Sequence, residues 1–397
     1  MIGPRTHRTR ADGHAGFTLV EALVAAMVTV VALGLAVALL RPASAAFQAL
    51  PEALDNQQRL RIAAMAIADD IAAAGAGPVL GWGAAAVPAW PAVLPCRWTG
   101  VPLASIAGGC ARDDAITVLR VAAEAPQGAV AEASGTTSPL RIGSLSACVP
   151  VRSACRLEPG TRALLVDGTG GWDLFTVTSV SADGTEIGHE QDVLSRPAAP
   201  GALLAAVAVR AYSLKLDPSS GSMQLRRGTG TATEAPVADQ VTVLSFAYLA
   251  DALPPAVVTG DSPDRRSTTY GPLPPPPGVD DPRDAWPAGE NCVFRLEDTR
   301  SVSRLAALEP GGHGLAELPL AALADGPWCP DDGSPNRWDA DLLRIRLVRV
   351  TLRVQPQSAA ARAVHGDPGG LAPLLDPLRW VPDLEVRVDV ALRNTSR

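Results

Sequence analysis

The sequence predicts an α+β protein, in which a long N-terminal helix packs on an antiparallel, β-sheet-rich head. Three observations carry this. An apolar run extends from Phe17 to Leu40, with Glu21 its only ionisable side chain and no proline. A stripe of apolar residues at helical spacing follows between Leu60 and Ala74. After Gly77 the periodicity changes to short segments rich in β-formers, separated by glycine and proline.

The first run is long enough, at about 1.5 Å per residue, to cross about 30 Å of bilayer hydrocarbon. Ahead of it Arg5, Arg8 and Arg10 outnumber Asp12. That balance keeps the short N-terminus cytoplasmic and sends everything after Leu40 across the membrane. A secretory signal peptide also begins with basic residues, and Ala43-Ser44-Ala45 has the look of its cleavage site. Its apolar region, however, is normally about 7–15 residues and uncharged. A plain signal anchor accounts for the length but leaves Glu21 unexplained. A carboxylate at mid-bilayer costs on the order of 2.5–3.5 kcal/mol on insertion scales, and less near the interface. Ionisable residues kept in such spans usually have a partner.

Arg41-Pro42 marks the end of the membrane stretch or a kink in it. In the second helical pattern Leu60, Ala64, Ile67, Ile71 and Ala74 form one stripe, while Arg59, Arg61 and Asp69 fall off it. Gly75-Ala76-Gly77-Pro78 stops the helix. Strands are predicted at 115–122, 172–180, 208–216, 240–248, 342–354 and 384–393. In the third, the apolar phase shifts from Val207 and Val209 to Tyr212, Leu214 and Leu216, which predicts a bulge near Arg210. The segment 342–354 shifts likewise between Leu347 and Val348. The last strand alternates cleanly, with Val386, Val388, Val390 and Leu392 on one face. Its other face carries Glu385 and Asp389, to set against Arg349 and Arg353 of the preceding strand. Residues 253–289 are too proline-rich for regular structure and read as an excursion.

Of the 397 residues 47% are apolar, 19% charged and 4% aromatic, so the core rests on Ala, Val and Leu in a folded chain. The formal charge is −7, and Lys215 is the only lysine. No basic cluster points to a nucleic-acid binder. The six cysteines suit disulfides in an oxidising compartment. Sequence proximity favours Cys96–Cys110, Cys148–Cys155 and Cys292–Cys329 among the pairings available. A zinc site is the rival reading, but no C-x2-C pair occurs and no histidine lies near the cysteines. Asp331, Asp332, Asn336, Asp339 and Asp341 crowd one short stretch. They read as a turn or as a calcium loop without EF-hand spacing. His189, His313 and His365 lie in loop contexts without metal-ligand spacing. No G-x-S-x-G or phosphate-binding glycine loop appears, so no catalytic set, metal site or cofactor is expected and the chain does not read as an enzyme.

The stretch "GFTLVEALVA", Gly16 to Ala25, closely resembles the type IV prepilin signature. The resemblance implies that a prepilin peptidase cuts between Gly16 and Phe17 and methylates Phe17 as the new N-terminus. Glu21 then becomes the fifth residue of the mature chain. Its carboxylate can neutralise the terminal ammonium of a neighbouring subunit as helices pack side by side. Loss of residues 1–16 removes Arg5, Arg8, Arg10 and Asp12 and takes the formal charge from −7 to −9.

"DNQQRLRIAAMAIADDIAAAGAG" (55–77) is similar to the helix of PilW-type minor pilins. "PVADQVTVLSFAYLAD" (236–251), "RLVRVTLRV" (346–354) and "VALRN" (390–394) are similar to that family's later sheet segments. Ala72-Ala73-Ala74 departs from the family, whose members often carry an arginine there, and 78–200 matches none of its segments. The implied organisation is a leader (1–16), a transmembrane helix (17–40), its amphipathic continuation (41–77) and an exported β-rich head (78–397). The implied place is the bacterial inner membrane, with the head periplasmic, and then a pilus or pseudopilus. The implied partners are the prepilin peptidase, other minor and major pilins or pseudopilins, the inner-membrane assembly platform and inner-membrane lipid. A minor pilin that primes or tips a pilus, a minor pseudopilin of type II secretion and a tip adhesin all share this physics. A membrane-anchored periplasmic enzyme has no site to support it.

Overall fold

The computed structural model describes residues 18–77, 90–98, 111–122, 125–143, 157–166, 172–190, 194–230, 233–254, 286–298, 300–309, 311–312, 314–334, 336–358 and 381–393. The chain divides into two compact units. One is Met1–Leu54 with Pro356–Pro382; the other is Asp55–Gln355 with Asp383–Arg397. Helix α1, Leu19–Ala72, runs from the first into the second. It continues through Arg41-Pro42 rather than ending there. A proline in a helix removes one backbone hydrogen bond, and the Leu- and Ala-rich flanks have the propensity to carry the helix past it.

In the second unit Ala63, Ile67 and Ile71 of α1, and Ala74 just past its end, are completely buried. Each isoleucine so buried contributes about 1.5–3 kcal/mol. Arg61 and Asp69 are exposed, as the periodicity predicts, but the buried face also holds Asn56 and Asp70. Asp70 is admitted because the Tyr212 hydroxyl donates to its Oδ2 at 2.6 Å. After Ala72 the chain reverses at Gly75, whose φ of 73° is open to glycine. The Gly75 N–H then donates to the Leu119 carbonyl at 2.9 Å, which ties the helix end to the sheet beneath.

The strands form three principal sheets. In chain order the first eight are β1 (Val93–Leu94), β2 (Ala115–Arg120), β3 (Gln127–Ala129), β4 (Leu140–Arg141), β5 (Arg162–Val166), β6 (Trp172–Val180), β7 (Glu186–His189) and β8 (Leu203–Ala206). Next come β9 (Ala208–Asp217), β10 (Ser222–Gly228), β11 (Glu234–Asp239), β12 (Val241–Asp251), β13 (Phe294–Glu297), β14 (Arg300–Ser303) and β15 (Leu315–Leu318). The last are β16 (Trp328–Cys329), β17 (Trp338–Asp339), β18 (Ile345–Val354) and β19 (Leu384–Ala391). A five-stranded sheet has the order β1-β2-β9-β10-β11, a six-stranded one β3-β8-β5-β6-β7-β4, and a four-stranded one β15-β12-β18-β19. Every strand pairing among the described residues is antiparallel.

No bulge occurs at Arg210. The β2–β9 register is unbroken from Ala115↔Ser213 to Arg120↔Ala208. The apolar phase changes because β9 buries its two faces in succession, Val209 and Ala211 on one and Tyr212 on the other. The predicted shift in 342–354 is real but lies slightly earlier. Against β12, Leu249 pairs Leu347 while Ala250 pairs Ile345, so Arg346 is the extra residue. That bulge lets Ile345 and Val348 both face the core. Residues 342–344, predicted as strand, belong instead to a 3-10 turn, Ala340–Arg344.

The predicted ion pairs are in register. Asp389 lies opposite Arg349, and Glu385 opposite Arg353. Arg349 grips Asp389 with two bonds of 2.8 and 2.9 Å, and Arg353 Nε reaches Glu385 at 2.9 Å. The Arg349 guanidinium holds the Asp389 carboxyl below its ordinary range. Both pairs are solvent-exposed, so they select register more than they add stability.

Cys292 and Cys329 are fully buried and joined in a disulfide, with Cα atoms 5.2 Å apart and a separation of 37 positions in sequence. Cys96 is also disulfide-bonded. Cys110, Cys148 and Cys155 fall outside the described residues, and with them the two other predicted pairings. The 253–289 excursion lies almost wholly outside them too. Replacing Cys292 and Cys329 together by serine is expected to cost about 2–4 kcal/mol. Urea unfolding should show it, and an unchanged midpoint would mean that this bridge does not hold the head together.

Candidate functional site

The functional reading rests on the start of α1. Thr18 stands just before the first helical residue, in the N-cap position, and Glu21 is the third helical residue. The two bond reciprocally. The Glu21 N–H donates to Thr18 Oγ1 at 3.3 Å, and the Thr18 N–H donates to Glu21 Oε2 at 3.0 Å. The Thr18 hydroxyl adds a third bond to the same carboxylate oxygen at 2.9 Å. This is a capping box, in which side chains satisfy backbone donors that a helix start leaves open. The sequence carries it as Thr-x-x-Glu ahead of an apolar run. Glu21 is thus tied to its own chain and still faces outward, as an exposed residue. Gly16 and Phe17, the expected processing site, lie outside the described residues.

Around Glu21 the helix is bare. Leu19–Leu40 has a mean hydropathy of 2.8 over 22 residues, and none of it is buried by the rest of the chain. Leu19, Val20, Leu23, Val24, Met27 and Val28 are all more than half exposed. A helix of this length and composition is apolar enough to span a membrane. Beyond it Phe47, Leu50 and Leu54 remain exposed, at 77%, 57% and 56%. The segment's features are therefore a capped start, one carboxylate and an uncovered apolar surface.

No protein-family model matches the chain, and no curated protein matches it.

The acidic stretch 331–341 resolves into separate local bonds. Asp331 accepts from the Gly333 N–H at 2.8 Å, and the Asp332 carbonyl accepts from Arg337. Asp339 caps the 3-10 turn, with the Asp341 N–H at 2.9 Å and the Gly326 N–H at 2.7 Å. Asp341 pairs with Arg344 at 2.8 Å. Burial pushes the Asp339 carboxyl up to about 7, against the pull of those two N–H groups and with the Asp341 and Asp325 charges adding to the rise. Among the described residues no three His, Cys, Asp or Glu side chains converge on a metal position. His189 is held between the carbonyls of Glu190 and Ser138, at 2.8 and 2.9 Å, against the Phe175 ring. His313 and His365 lie outside the described residues.

Proposed function

We propose that the chain is a minor type IV pilin of the PilW type, a structural subunit that primes a pilus or sits at its tip. One observation carries this: "GFTLVEALVA" stands at the head of a capped helix whose first 22 residues, Leu19–Leu40, are uncovered and, apart from Glu21 and Thr29, apolar or glycine. A peptidase acting at Gly16-Phe17 releases a subunit anchored by that helix, with its N-terminus on the cytoplasmic side. Assembly then transfers the apolar surface from lipid to the helices of neighbouring pilins. Glu21 meets a neighbour's terminal ammonium there, and the β-rich head projects outward.

Mass spectrometry of the mature protein tests the reading. N-methyl-phenylalanine at position 17 is the expected terminus, and replacing Gly16 by a bulky residue should leave unprocessed precursor in the membrane. A terminus at Ala46 would instead mean signal-peptide cleavage, and an intact Met1 a simple anchor. Deleting the gene should then abolish surface filaments. Loss of protein secretion with filaments intact would assign the subunit to a type II secretion pseudopilus.

A further inference from the structure

From Asp55 to Ile62, about two turns of α1, Asn56 is the only fully buried residue. It lies on the stripe of Ala63 and Ile67, which stand seven and eleven residues further on. Its exposure is 0%, yet neither its side-chain oxygen nor its side-chain nitrogen meets a hydrogen-bonding group. Arg59 and Leu60 are half-buried, and Arg59 turns back to bond Asp55 at 2.6 Å. Asp70, the other buried polar residue in the described part of α1, is served instead. It accepts from the Tyr212 hydroxyl at 2.6 Å, and Arg120 stands 3.9 Å from its second oxygen. Ile67 and Ile71 on either side of it are wholly buried. The helix is thus fastened firmly from Ala63 onward. In the two turns before Ala63 the one buried side chain is an amide that burial penalises.

We infer that Asn56 is a release point, which lets residues 55–62 of α1 lift from the head while Ala63 to Ala72 stay seated. An amide buried without a partner loses its bonds to water and gains none in return. Lifting the stretch gives both polar atoms back to solvent, and it exposes no fully buried apolar side chain. An apolar residue at the same place would act in the opposite direction, because burial favours it. Leucine or isoleucine is what the stripe itself asks for there, as at Leu60 and Ile67. Asparagine in that place raises the opening equilibrium about tenfold over that of an apolar residue.

The device gives α1 an adjustable length of attachment. With Asn56 released, the seated part shortens by about two turns, and the bonds that tie the helix end down are untouched. Those bonds are the Tyr212 hydroxyl on Asp70 and the Gly75 N–H on the Leu119 carbonyl. The sheets therefore keep their packing while the forward stretch comes free. Local opening of this kind belongs to the least stable part of a fold, where few apolar contacts are lost on the way out.

Hydrogen exchange on the full-length protein in detergent, corrected for intrinsic rates, reads the release, since a helical turn stripped of its packing frays readily. In the wild type, amides of residues 57–62 should exchange at least about tenfold faster than those of 67–72. Asn56→Leu should slow 57–62 about tenfold and leave 67–72 as they are. Better helix propensity alone accounts for about a twofold slowing, so the excess measures the relief of the amide. Asn56→Ala fits wherever asparagine does and should slow the same amides by more than the roughly threefold that its propensity supplies. Should leucine prove too large for the site and speed exchange, alanine decides. Equal exchange of 57–62 and 67–72 in the wild type overturns the release point. So does exchange that neither variant slows beyond its propensity share, which would show that the buried amide is bonded, through a water or otherwise.

Discussion

Glu21→Ala is expected to insert in the membrane at least as well as the wild type, to be processed, and to be missing from filaments. Insertion improves because a polar cost is removed from the span. Processing survives because the expected cut lies four residues earlier. Incorporation fails because a neighbour's terminal ammonium loses its counter-charge in a low-dielectric setting. The capping box makes a sharper experiment available than alanine alone. Glutamine serves at the same position of a capping box, so Glu21→Gln keeps the bonds to Thr18 and loses only the charge. Thr18→Ala does the reverse, removing the cap at a cost of about 1 kcal/mol while leaving the carboxylate. Sheared filaments should therefore contain Thr18→Ala and lack both Glu21 variants. If Glu21→Gln is incorporated normally and Thr18→Ala is not, the glutamate is a helix cap and nothing more.

Arg344→Met is expected to destabilise the head by about 3–5 kcal/mol. Arg344 is 1% exposed, and both terminal nitrogens of its guanidinium are engaged. Nη1 donates to the Ala306 carbonyl at 2.9 Å and to Asp341 at 2.8 Å, and Nη2 donates to the Asp251 carbonyl at 2.8 Å. One side chain thus pins the end of β12, the loop after β14 and the 3-10 turn before β18. Methionine fills the stem's volume but abandons a buried carboxylate and three backbone carbonyls. Burial already pushes the Asp341 carboxyl up, and Arg344 pulls it back. Without the arginine that rise grows, so the loss should be larger at pH 8 than at pH 5. The double variant Arg344→Met/Asp341→Asn should recover part of it in urea unfolding. Additive single losses would show that the pair does not act as a unit.

Strands with one wet face were legible in the sequence. Val386, Val388 and Val390 alternate with Glu385 and Asp389, and both the strand and its ionic partners follow from that pattern. The 172–180 strand matches residue for residue, since its ends are marked by glycine and by a turn. What stayed hidden is whatever buries polarity. Arg344 in "LLRIRLV" has the spacing of an outward strand residue, yet it turns inward because three backbone carbonyls and Asp341 await it. Asp70 breaks the apolar stripe of α1 and is accepted because Tyr212, 142 residues later, supplies a donor and Arg120 a cation at 3.9 Å. At the site itself, Glu21 was visible as an anomaly of charge. Its bond to Thr18 needed the helix to begin where it does.

The pairing of β12 with β18 also sets a timetable. Thr242 and Arg353, bonded across these two strands, are 111 residues apart in sequence. At roughly 5–20 residues per second, a ribosome needs on the order of ten seconds between making one and making the other. Through that interval β12 lacks its long neighbour, and for about the first two-thirds of it also the short β15 at its other edge. Ile67 and Ile71 of α1 have already emerged, with part of their cover still unmade. Pairings this distant close slowly even in a finished chain. The nascent head therefore spends its first seconds as a sticky, half-built sheet behind an equally sticky helix. A holdase that grips apolar segments between residues 60 and 250 should raise its yield more than any catalyst of a later step.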